Sequence, residues 1–136
     1  MLRKNKIFIT FFVILVVLII LNLFIKFMYL EKNEIKINLD VGDHIGFNID
    51  NEELNFGTVT PGNHAIRNIT LSSNRDFDVK VKIKVNKYKS WYSVSENDFV
   101  LNKGDNRTIV VRVDVPGDVN YGKYDAKLIM TFWKTI

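Results

Sequence analysis

The chain contains no cysteine, which excludes disulfides, thiolate metal ligands and cysteine nucleophiles. A domain of about 100 residues can be stable on its core alone, so this absence leaves an extracytoplasmic location open. It argues only against the disulfide-dense secreted domains of animals. Histidine is nearly as scarce: His44 stands between Gly42 and Gly46, and His64 follows the Pro61-Gly62 turn. Two separated histidines without cysteine do not make a zinc site. Ser90, Ser93 and Ser95 lie outside any G-x-S-x-G elbow, and there is no phosphate-binding glycine loop. Asp40, Asp43, Asp50, Glu52 and Glu53 lack EF-hand spacing and read as solvated loop charge rather than a calcium site. The expectation is a non-enzymatic chain with no metal, no cofactor and no small-molecule substrate.

A net positive field is also missing from most of the chain. The formal charge is +4, but Arg3, Lys4, Lys6 and Lys26 flank the long apolar run. From Glu31 onward, 15 basic residues face 15 acidic ones. Nucleic-acid binding requires a concentrated positive surface that displaces counterions, and a formally neutral domain does not supply it.

What the sequence does have is an apolar run, Ile7 to Ile25, interrupted only by Thr10 and Asn22. About 19 residues at 1.5 Å rise span roughly 28 Å, the thickness of a bilayer's hydrocarbon core. A cleavable signal peptide would end in a small-residue site, whereas Lys26, Phe27, Met28, Tyr29 and Leu30 follow here. Arg3, Lys4 and Lys6 precede the run and favour a cytoplasmic N-terminus. The expected organisation is a cytoplasmic tail over 1–6, a single-pass signal-anchor helix over 7–30 and an extracytoplasmic domain over 31–136. Lys6 runs directly into Ile7, with no glycine and no helix-start glutamate, which excludes processing of the filament-subunit type.

Beyond the anchor the apolar period becomes two. Phe77, Val79, Val81, Ile83 and Val85 alternate with Asp78, Lys80, Lys82 and Lys84, a half-buried strand with lysines outward. Ile109, Val111, Val113 and Val115 alternate with Thr108, Val110, Arg112 and Asp114. In the last strand Tyr124, Ala126, Leu128, Met130 and Phe132 are predicted inward, against Asp125, Lys127, Ile129, Thr131 and Trp133. Shorter strands are predicted at 45–49, 54–59, 65–71, 91–94 and 99–101. Their separators are turn residues at 61–63, 72–74, 103–105 and 116–118. Short alternating strands at regular spacing predict an all-β sandwich. The lysine-rich strand fits a sheet edge guarded against further pairing.

Two segments resemble a known family. Leu54 to Asn74, LNFGTVTPGNHAIRNITLSSN, resembles the opening strands of immunoglobulin-like domains of microtubule- and cilium-associated proteins and of many prokaryotic surface proteins. Asp98 to Met130 is similar to the closing half of bacterial and archaeal extracytoplasmic immunoglobulin-like domains. It has Leu101 and Gly104 of an L-x-x-G turn, the strand Ile109 to Val115, then Pro116 and Gly122-Lys123-Tyr124. The resemblance, nearest to archaeal membrane-anchored proteins, implies an immunoglobulin-like β-sandwich. Gly122-x-Tyr124-x-Ala126 looks like a tyrosine corner, with Ala126 where antibody domains carry cysteine. That corner belongs to the penultimate strand, whereas one long strand ends this chain. In the same framework Trp91 is the candidate core tryptophan.

Three groups of residues are candidate sites. Asn68-Ile69-Thr70 and Asn106-Arg107-Thr108 fit the N-glycosylation pattern, with Asn106 expected in a turn and Asn68 in a strand. Val110, Ile129 and Trp133 interrupt polar outward faces, and would form one partner-contact patch if their strands were neighbours. The expected function is a membrane-anchored binding or structural module contacting another surface protein or the cell envelope. The alternative is an archaellum stator-like or filament-associated accessory subunit, which neighbouring motility genes would favour.

Overall fold

The computed structural model describes residues 2–43 and 53–135; the predicted strand over 45–49 lies outside them. The chain divides into two compact units, Met1–Leu30 and Glu31–Ile136. The first is one α-helix, α1, Leu2–Met28, with no buried residue. It is long and apolar enough to cross a membrane. Its two interior polar side chains are satisfied within the helix. Thr10 Oγ1 donates to the Lys6 carbonyl at 2.9 Å and Asn22 Nδ2 to the Leu18 carbonyl at 3.0 Å. This self-pairing is what an apolar solvent demands of polar groups.

After α1 come strands β1 (Tyr29–Val41), which starts two residues before the second unit, β2 (Leu54–Val59), β3 (His64–Ser72), β4 (Val79–Val85), β5 (Tyr92–Val94), β6 (Phe99–Leu101), β7 (Asn106–Asp114), β8 (Gly122–Lys123) and β9 (Ala126–Lys134). One sheet has the order β2-β1-β9-β4-β6, with β8 also on β1; the other has the order β3-β7-β5. The first is mixed, because β1 and β2 run parallel while β4 is antiparallel to both β9 and β6.

Strand β1 is the principal element that the sequence reading missed. Ile37, Leu39 and Val41 are buried, and Ile35 is half-buried. The strand begins at the residue after α1 ends, with no linker between them. The other long strands follow the predicted alternation. Val79, Val81, Ile83 and Val85 are buried, as are Ile109, Val111, Val113, Ala126, Leu128 and Met130. The lysine-rich β4 is not an edge: β9 pairs along its whole length, and β6 covers Val79 to Val81. Phe56 of β2 and Tyr92 of β5 bring the two sheets together, with ring centroids 6.1 Å apart.

A bulge sets the phase of β2. Asn38 pairs with Asn55 and Leu39 with Gly57, so Phe56 is the extra residue. Gly57 takes φ 71, a conformation that a side chain disfavours. The inward positions therefore shift from Leu54 and Phe56 to Val59. Asn55, the one buried polar residue among those described, accepts from Asn38 Nδ2 at 2.7 Å, and its carbonyl accepts from Arg67 Nε at 2.7 Å. The link from β2 to β3 is a Thr60-Pro61-Gly62-Asn63 turn, in which Asn63 N donates to Thr60 O at 3.1 Å and Gly62 has φ 80. Proline second and glycine third are the residues that a type II turn requires.

Candidate functional site

The outer face of the β3-β7-β5 sheet carries both glycosylation sequons. Antiparallel pairing sets His64 opposite Asp114, Ile66 opposite Arg112, Asn68 opposite Val110, Thr70 opposite Thr108 and Ser72 opposite Asn106. Asn106 is the first residue of β7 rather than a turn residue, because pairing with Ser72 extends the strand back to it. Asn68 and Asn106 are both exposed, and the two sequon threonines meet with their hydroxyls 3.4 Å apart. Beside them the Arg112 guanidinium grips the Asp114 carboxylate at 2.6–2.9 Å. That bond holds the Asp114 carboxyl below its usual range and the guanidinium above its own.

The expected patch of Val110, Ile129 and Trp133 is not assembled. Val110 lies on β7 and the other two on β9, and these strands belong to different sheets. On β9, Trp133 pairs with Lys80, Thr131 with Lys82 and Ile129 with Lys84. Ile129 and Trp133 are half-buried, each set beside a lysine whose aliphatic stem can cover apolar surface.

A different cluster forms where β4 ends and β9 begins. Trp91 is not a core residue: it is half-exposed and stacks on Tyr88, with centroids 5.0 Å apart and planes at 29°. Tyr124 closes a triangle, 5.4 Å from Tyr88 and 5.1 Å from Trp91. Two local devices hold the rings. The first is a 3₁₀ turn, Lys89–Trp91, which Tyr88 enters at φ 52, ψ 41. This left-handed conformation is uncommon for a bulky side chain. The second is the Tyr124 hydroxyl, which donates to the Asn120 carbonyl at 2.7 Å. Tyr88 remains 38% exposed and Tyr121, three residues before Tyr124, 65%.

Lysines neighbour this cluster in the chain. Lys87 and Lys89 flank Tyr88, Lys123 precedes Tyr124, and no acidic residue occurs between Val79 and Ser95. Of the five lysines from Lys80 to Lys89, Lys80 pairs with Asp98 at 3.2 Å. The others, and Lys123, have no ion-pair partner among the described residues. Lys84 and Lys89 line one open cleft of about 250 Å³ together with Tyr92, Ser93 and Asn97. The signal in the sequence was the segment Asn86 to Tyr92, NKYKSWY, in which three aromatic residues stand among two lysines and a serine.

Asp50, Glu52 and His44 lie outside the described residues. Among the described ones, no group of three or more histidine or acidic side chains is arranged to hold a metal. No family model matches the chain, and searches of curated proteins and of solved structures return no match.

Proposed function

We propose that the protein is a non-enzymatic, membrane-anchored binding module whose immunoglobulin-like domain faces outward and contacts the cell envelope or another surface protein. The observation that carries this reading is the direct junction of α1, all of whose apolar side chains are unburied, with β1, a strand built into the domain's core. Exposed apolar area of that extent requires an apolar surrounding. The three basic residues before it favour an N-terminus on the cytoplasmic side.

The strand order supports an immunoglobulin-like reading. The order β3-β7-β5 corresponds to strands B, E and D, and β1-β9-β4 to strands G, F and C. The Tyr124 bond to Asn120 then falls where a tyrosine corner belongs, ahead of strand F. On this reading the G position, which follows F in the usual chain order, would be filled by β1 from the N-terminal end. Two departures remain: no strand A lies beside β3 among the described residues, and β5 precedes β6 in the chain, whereas the strand beside C ordinarily comes before D.

Treating intact cells and inverted membrane vesicles with a membrane-impermeant, lysine-reactive reagent tests the reading. Lysines from Lys32 onward should be modified in intact cells and protected in inverted vesicles. The reverse pattern, or recovery of the unprocessed chain in the soluble fraction, would overturn it.

A further inference from the structure

We propose that the Tyr88–Trp91–Tyr124 cluster and the lysines near it in the chain form a binding site for an anionic polysaccharide. The inference rests on the reading above, which places such polymers within the domain's reach, and it adds the chemical class of the partner.

Two features of the cluster exceed what closing one end of a fold requires. The rings pack on one another within 5.0–5.4 Å, yet Trp91 and Tyr124 are half-exposed and Tyr88 more so. The Tyr88 backbone is also held at φ 52, where glycine or asparagine would sit more easily. The negative face of an aromatic ring favours partially positive C–H groups, such as those lining the flat side of a pyranose. A patch of several partly exposed rings therefore offers stacking surface for more than one sugar.

The charge selects among sugars. Lys87, Lys89 and Lys123 are neighbours in the chain of Tyr88 and Tyr124, and Lys84 shares a cleft with Lys89. All four lack an ion-pair partner among the described residues. Lys84, Lys87 and Lys89 lie in a stretch without acidic residues, in a domain that is formally neutral as a whole. Lys123, by contrast, lies opposite Asp40 and shares a cleft with Asp40 and Asp125. Uronate or phosphate groups spaced along a sugar chain would find their partners first at Lys84, Lys87 and Lys89. A neutral glycan would use the rings and leave the lysines idle. An anionic lipid surface would engage the lysines and leave the stacked ring faces without sugars.

The test uses the full chain in phosphatidylcholine nanodiscs. In the Trp133→Phe background Trp91 is the one remaining tryptophan, and its fluorescence reports binding. Alginate, a linear polyuronate, should shift this fluorescence with an affinity that falls steeply with added salt. Neutral dextran should leave it unchanged. The Lys87→Glu/Lys89→Glu/Lys123→Glu variant should bind alginate at least tenfold more weakly. Tyr88→Asn, which removes a ring but suits the left-handed backbone, should do the same while retaining the native circular dichroism. Retardation of the unsubstituted chain in alginate-containing native gels gives a readout independent of Trp133. Failure to bind alginate at low salt would overturn the proposal, as would binding unaffected by the lysine substitutions. Binding to phosphatidylglycerol vesicles in place of alginate would reassign the site to a lipid surface. Alginate binding by a chain whose domain is labelled only in inverted vesicles would leave the site standing and remove the outward orientation.

Discussion

Tyr92 buries its hydroxyl without a hydrogen-bond partner among the described residues. Burial pushes its pKa far above the usual tyrosine value, and the nearby charges of Asp125 and Tyr88 add to the effect. A buried hydroxyl without a partner costs about 1–3 kcal/mol. Tyr92→Phe should therefore raise the free energy of unfolding by about 1 kcal/mol in urea titrations. A loss of that size would mean that the hydroxyl has a partner. The same residue gives a signed pH dependence. Its folded pKa lies above the unfolded one, so this contribution is complete below about pH 10 and is lost as pH rises beyond it. Comparing wild type with Tyr92→Phe above pH 10 isolates it from the lysines that titrate in the same range. The Tyr124 hydroxyl is the opposite case, since it is bonded to the Asn120 carbonyl. Tyr124→Phe should cost about 1 kcal/mol and loosen the 120–124 segment; an unchanged melting temperature would refute its role there. Tyr88→Asn exchanges ring contacts worth about 0.5–1.5 kcal/mol for relief of a comparable backbone strain. Thermal unfolding should show little net change, and a collapse in stability would make the cluster a structural plug.

At the level of elements, β1 decides which fragments fold. It contributes Ile37, Leu39 and Val41 to the core and bridges β2 and β9. A fragment over 34–136 keeps these residues and should give the circular dichroism of a folded β protein. A fragment over 43–136 should not fold, because β2 would lose its neighbour in the sheet, β9 one of its two, and the core Ile37, Leu39 and Val41. Folding of the shorter fragment would contradict the strand order. The period-two pattern made β4, β7 and β9 legible because each buries one face against the core. Ile35, Ile37, Leu39 and Val41 carry the same pattern, but they lie so close to the apolar run that no strand was predicted before position 45. The expected Val110–Ile129–Trp133 patch failed for another reason: alternation fixes which side of a strand a residue occupies, whereas sheet membership depends on long-range pairing. Trp91 was misplaced because no local pattern announces a left-handed residue at position 88.

For the whole molecule, chain order and spatial order disagree in a way that bears on folding and on load. The strand made first, β1, pairs with the strand made last, β9, so its core side chains wait for nearly the entire domain before they are covered. Such long-range closure is slow. Refolding of the 34–136 fragment should accordingly show one cooperative phase without early protection of the amides of β1 in hydrogen exchange. Early protection of β1 would show that it docks before β9 exists. The position of β1 also determines how the domain would bear tension. Were a bound partner to pull the domain away from the proposed anchor, the force would enter through the N-terminal end of β1 and run along its axis. Its ladder bonds to neighbouring strands lie across that axis, so many would have to yield together rather than open one after another. A hairpin at the edge would unzip; β1, whose end from Ile37 to Val41 is paired with β2 in a sheet where β9 is its other neighbour, would be loaded in shear.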